Sequence, residues 1–140
     1  MSSNKQTKEK LLILFKKQVI SFLDELISSY SQISTFVIIR VFVKDQIPLN
    51  DVLGRYIRIC LQYKSKVEKR DEDFIINSDA IIEGLGATEW AMDTKKELTN
   101  FWLSDQLDAD SKEMIWKWLN LLMSISQKYY DQFGMVDGWE

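Results

Sequence analysis

The sequence predicts an all-α fold, a compact bundle of five or six helices in a single domain, and three observations carry that expectation. Proline occurs once and glycine five times in 140 residues, too few turn-formers for a sandwich or barrel that turns roughly every ten residues. Apolar residues recur at three- and four-residue steps over residues 7–30 and 111–132, the period of a helix that buries one face. With 46% hydrophobic, 28% charged and 12% aromatic residues the composition is globular, and a chain this long can bury a core without metal or disulfide staples.

Residues 1–6 lack apolar periodicity and are expected to be a flexible N-terminus, ahead of a helical domain over 7–133. The first helix runs from about Thr7 to about Tyr30, with Leu11, Phe15, Val19, Phe22, Leu23, Leu26, Ile27 and Tyr30 as its apolar stripe. Phe36–Val43, FVIIRVFV, has strand preferences. It has no convincing strand to pair with, and an unpaired strand leaves its backbone groups unsatisfied, so it reads as a helix buried on most sides. Ser34 would cap that helix, and it would end before Ile47-Pro48. Arg40 within it is either a snorkelling side chain or the buried half of an ion pair with Asp45 or a carboxylate from the acidic half. Pro48 suits the first turn of a third helix with Leu49, Leu53, Tyr56, Ile57 and Cys60 as its stripe. The pattern loosens after Asp71. Ser78 or Asp79 would cap a short helix holding Ile81 and Ile82, ended by Gly84 or Gly86, and Thr88 or Asp93 would start the helix carrying Leu98, Phe101 and Trp102.

The best-specified helix follows. Asp110 and Glu113 have capping-box spacing, and Ile115, Trp118, Leu119, Leu122, Ile125 and Tyr129 share one side. Gly134 supplies its C-terminal stop, and residues 134–140 read as a C-terminal tail.

Charge is unevenly laid along the chain. Residues 1–70 carry 13 basic against 6 acidic residues, and residues 71–140 carry 5 against 15. Either the two halves fold against each other or the molecule presents a basic face to an acidic partner. Arg55, Arg58, Lys66, Lys69 and Arg70 make the densest basic stretch, the pattern a phosphate backbone would require. The overall acidity, pI near 5.1, argues against that use.

No histidine is present and cysteine occurs once, which excludes His-dependent triads and structural zinc built from this chain alone. Cys60 reads as a small buried hydrophobe. A lone cysteine, a polar start and the lack of a long apolar run point to an intracellular protein with no membrane segment. Asp105, Asp108, Asp110 and Glu113 lack the central glycine and terminal glutamate of a calcium loop, and acidic residues before a helix are expected from capping. Gly84-Leu85-Gly86 follows no strand and precedes no GKS or GKT, so two turn glycines explain it better than a phosphate loop. Nothing calls for a metal, a cofactor or catalytic residues. Trp116 lies two residues from Trp118 and must point away from that face of the helix, where either it marks a partner surface or another helix of the same domain covers it. With Trp90 and the acidic rim Asp105, Asp108 and Asp110 it forms the candidate protein-binding surface.

The segments FLDELI (22–27), VFVKDQIP (41–48), KRDEDF (69–74) and WLSDQLDADSKEMIWKWLNLLM (102–123) resemble a group of small, uncharacterised helical proteins of nucleocytoplasmic large DNA viruses of algae and amoebae. The likeness spans about Lys10 to Tyr130. It implies a viral protein acting in the cytoplasm or nucleus of the host, or in a viral factory, and carries over no catalytic residue. The resulting expectation is a non-enzymatic interaction protein, an adaptor or assembly factor with a viral or host protein partner or a second copy of itself. A nucleic-acid-associated factor using the Arg55–Arg70 stretch is the alternative.

Overall fold

The computed structural model describes residues 2–84 and 88–140, with side chains from residue 7 onward other than those of residues 81 and 84. The described residues are helical throughout, without a strand, and pack as one body: α1 Ser2–Ser29, α2 Ser34–Val41, α3 Leu49–Cys60, α4 Lys64–Glu68, α5 Glu72–Asn77, α6 Ala80–Gly84, α7 Glu89–Trp102 and α8 Ala109–Phe133. The expected Gly86 stop and the Gly84-Leu85-Gly86 stretch fall at or in residues 85–87, outside the described residues.

α1 has no glycine or proline to interrupt it, and it starts at Ser2, ahead of the expected Thr7. It lies antiparallel to α8: the Phe22 and Trp118 rings stack at 5.5 Å, Trp118 Nε1 donates to Glu25 Oε2 at 2.7 Å, and Lys8 Nζ lies 5.5 Å from the Phe133 ring centroid.

The Phe36–Val43 segment is helical, as the missing strand partner required. Ile33, extended at φ −98° and ψ 96°, is its N-cap instead of Ser34. After Val41 the helix widens into a π turn, Phe42–Gln46, in which Ile47 N–H donates to Phe42 O at 3.1 Å. The extra residue brings both Val43 and Ile47 into the core and leaves Ile47 extended, as a residue before proline must be. α2 is less buried than expected, because α1 and α7 cover it from one side only. Arg40 pairs with Asp24 of α1 at 2.5 Å, not with Asp45.

Pro48 is the N-cap of α3 and not its first turn; its carbonyl accepts from Asp51 and Val52. α3 passes through a 3-10 turn, Leu61–Tyr63, into α4. That rod stops at Arg70, whose φ of 54° reverses the chain while Asp71 N–H donates to Lys66 O at 2.9 Å. Asp71 caps α5 through Asp73 N–H, and Ser78 accepts from Ala80 N–H at the start of α6. Thr88 caps α7 through Ala91 N–H. At α8 the cap is Asp108 and not Asp110: its Oδ1 accepts from Ser111 N–H at 2.8 Å. Glu113 therefore does not close a capping box with Asp110; it pairs with Arg70, Oε1 to Nη2 2.6 Å, and so ties the basic half to the acidic half.

The core has two parts. One holds Leu11, Phe15, Leu23, Val43, Leu53, Leu122, Ile125 and Tyr129; the other holds Leu26, Tyr30, Phe36, Val67, Phe101, Trp102, Ile115, Trp116 and Met123. α1 and α8 contribute to both, so α8 is covered on more than one stripe. The C-terminal residues are also core. Val136 is 0% exposed, and Trp139 packs on Gly54 and donates from Nε1 to Asp51 Oδ1 at 2.9 Å. The C-terminal tail over 134–140 is thus docked on the core through Val136 and Trp139.

Candidate functional site

Trp116 is not a surface residue. It is 4% exposed and meets Trp102 edge to face at 5.5 Å, while Met123, two turns on, continues the same buried stripe. Trp90 is half-buried with its ring 5.3 Å from that of Phe42. Asp105, Asp108 and Asp110 are exposed at the α7–α8 turn, where Asp108 is engaged in capping. Hydrogen bonds from Ser111, first its backbone N–H and then its hydroxyl, hold the Asp108 carboxyl below its ordinary range. The two tryptophans and three aspartates are thus not gathered into one surface.

The basic stretch is largely engaged within the chain. Arg70 binds Glu113 through Nε and Nη2, Lys66 pairs with Asp71 at 3.6 Å, and Arg58 lies 5.9 Å from the Trp139 ring centroid. Arg55 is half-buried at the wall of a half-open apolar pocket, which leaves Lys69 as the exposed residue with no ion pair or ring contact among the described residues.

An apolar seam on α2 is the surface feature that sequence reading missed. Val37, Ile38 and Val41 are 45%, 48% and 44% exposed on the outer face of a helix whose opposite side carries Thr35 and Phe36 into the core. Ser34 begins this seam and Asp45 ends it, both exposed. No described side chain caps the N-terminus of α2, so its first backbone N–H groups remain open. Thr35 bonds Glu97 of α7 beside that end. The signal was present in the sequence: FVIIRVFV is apolar around the whole helix, and a short helix cannot be covered on every side by two neighbours.

The half-open apolar pocket beside Arg55 has a volume of about 310 Å³. All eight helices contribute to its wall, including Phe15 of α1, Ile39 of α2, Cys60 of α3, Phe74 of α5 and Leu98 of α7. Protein surrounds Tyr56 and Cys60, yet each keeps accessible surface because it faces this space. Burial raises the Tyr56 hydroxyl well above its ordinary value, with Cys60 adding to it, and burial assisted by Glu83 pushes the Cys60 thiol up to about 12.

Among the described residues no group of three or more carboxylates and thiols is placed to hold a metal ion, and no helix is long and apolar enough to cross a membrane. Compared with protein-family models, curated proteins and solved structures, the chain matches none.

Proposed function

We propose that this chain is a non-enzymatic protein–protein interaction module, an adaptor or assembly factor acting in a virus-infected cell, and that a partner docks on the outer face of α2. The observation that carries the reading is the seam Val37, Ile38 and Val41, three aliphatic side chains left close to half exposed on one helix face. Covering such a face is favourable by about 25 cal/mol per Å² of apolar area. A π turn directly follows the seam, and such turns recur at functional positions.

The partner that fits is an amphipathic helix laid antiparallel to α2. Its aliphatic stripe meets the seam, and a carboxylate near its C-terminal end meets the open N–H groups at Ser34. A second copy of this chain has both features, since Asp45 stands at the far end of the same seam. The nucleic-acid reading lacks comparable support, because Arg55, Arg58, Lys66 and Arg70 are taken up by the pocket wall, the Trp139 ring, Asp71 and Glu113.

The test is affinity purification of wild type, Ile38→Glu and Val41→Glu, with Leu103→Glu as a control at an exposed apolar position just after α7. The reading expects a stoichiometric partner, contacting through an amphipathic helix, that survives nuclease and is lost with Ile38→Glu and Val41→Glu but kept by Leu103→Glu. If the partner is a second copy, light scattering shows a wild-type dimer and an Ile38→Glu monomer. A partner retained by folded Ile38→Glu, or released by nuclease, overturns it.

A further inference from the structure

We infer that the half-open apolar pocket beside Arg55 binds one medium-chain aliphatic monocarboxylate, with its alkyl chain along the apolar wall and its carboxylate on the Arg55 guanidinium. The position of Arg55 in α3 carries the inference. Val52, Arg55, Tyr56, Ile59 and Cys60 all line the pocket, at steps of three and four residues along one face of the helix. Arg55 therefore stands inside an apolar stripe, with Val52 a turn before it and Ile59 a turn after it. Its Nε is shielded from solvent, so the charged end of the side chain is held in the wall.

Among the described residues of the wall Arg55 is the one charged side chain, and Val19 of α1, Ile39 of α2, Phe74 of α5 and Leu98 of α7 represent the carbon around it. A guanidinium presents five N–H donors in a planar fork that matches a carboxylate, so a contact within the chain leaves donors over. Where apolar side chains keep water away, the attraction between the two charges is little screened. An uncharged ligand forgoes that attraction, and an amine meets repulsion. Glu83, which adds to the rise of the Cys60 thiol, is exposed on α6 and is not part of the described wall; solvent weakens its opposing field.

The volume sets the length of the chain. At roughly 30 Å³ for each water-sized group, 310 Å³ takes about ten of them, the size of octanoate. The half-open form suits an amphiphile, whose head stays near water while its tail is covered. Ligand pockets in proteins begin near ~300 Å³ and combine apolar walls with a few polar groups. Two departures from regular α-helix border the space: the π turn Phe42–Gln46, with Val43 and Ile47 at the wall, and the 3-10 turn that follows Cys60. Such irregular turns recur at functional positions.

The experiment is calorimetric titration of the full chain at pH 8 with octanoate, whose carboxyl is then ionised, and with 1-octanol and octylammonium in parallel. Arg55→Met removes the charge and keeps an apolar stem, and Cys60→Met fills space from the same helix face. The expected result is saturable one-to-one binding of octanoate, with octanol at least about tenfold weaker and octylammonium weaker still. Arg55→Met lowers octanoate affinity at least about tenfold and leaves octanol within about twofold, whereas Cys60→Met weakens both. Each variant is read only where it retains helical circular dichroism, and the ligand series in wild type decides the matter without either. Nuclear Overhauser contacts should join octanoate methylenes to the Val19 and Leu98 side chains. Absence of saturable octanoate binding overturns the inference, as does octanol bound by wild type as tightly as octanoate. So does an octanoate affinity unchanged in folded Arg55→Met or in folded Cys60→Met. The outcome is independent of the α2 seam, on which neither variant lies.

Discussion

Replacing Gly54 by alanine tests whether the C-terminal residues belong to the core. Gly54 is buried on α3, and a Cβ there would overlap Cδ1, Nε1 and Cγ of the Trp139 indole. Backbone preference alone favours the substitution, since alanine is better than glycine in a helix interior by about 1 kcal/mol. Displacing the indole opposes it. The bond from Nε1 to the Asp51 carboxylate, 2.9 Å, is of a type that contributes about 1.5–3 kcal/mol. The Arg58 contact at 5.9 Å adds about 0.5–1 kcal/mol, and some 100 Å² of apolar ring surface adds about 2.5 kcal/mol. Allowing for partial re-docking, the expected net loss is about 2–4 kcal/mol, measured by urea denaturation. The Trp139→Ala background reverses the sign: with no indole to displace, Gly54→Ala stabilises by about 1 kcal/mol. A Gly54→Ala protein more stable than wild type, with an unchanged Trp139 indole N–H resonance, would refute the docking.

Other residues give independent checks. Trp116→Ala should destabilise by about 3–5 kcal/mol in thermal or urea melts, as truncation of a core aromatic does, whereas a surface tryptophan would leave stability almost unchanged. The Asp108 carboxyl is held below its ordinary value near 3.8, so its cap contributes stability above that value and loses it as pH falls through the lowered one. Asp108→Asn keeps an acceptor and should flatten that acid limb of the stability curve, and Asp110→Asn should not; equal curves for both would contradict the cap assignment. Cys60, with its thiol pushed up to about 12, should react far more slowly with Ellman's reagent at pH 8 in the native protein than in urea. Equal rates would contradict its enclosure.

What sequence could reveal followed from local rules. Long apolar periodicity gave α1 and α8, and the lack of a pairing partner turned Phe36–Val43 from strand to helix against its residue preferences. Caps were legible as types more than as positions. In Asp-Ala-Asp-Ser either aspartate can accept from a first-turn N–H, and only the backbone geometry selects Asp108. For Trp116 the pattern left two readings, a partner surface or cover by another helix, and the structure selects the second. Trp116 and Met123, seven residues apart, form a second stripe that needed only a second covering element, α7. Val136 and Trp139 after Gly134 were apolar enough to suggest docking, yet Trp139 is received by a glycine, Gly54, which advertises nothing in sequence. The pocket depends on the mutual placement of every helix and has no sequence signature.

The α2 seam is most directly tested by a photo-activatable benzoylphenylalanine placed at position 38, compared with the same group at position 103, in cells that express the chain. The account predicts a discrete protein adduct from position 38, with the cross-linked peptide drawn from an amphipathic helix of the partner or from α2 of a second copy, and none from position 103. Adducts from position 103 alone, or cross-links from position 38 to nucleic acid, would contradict it.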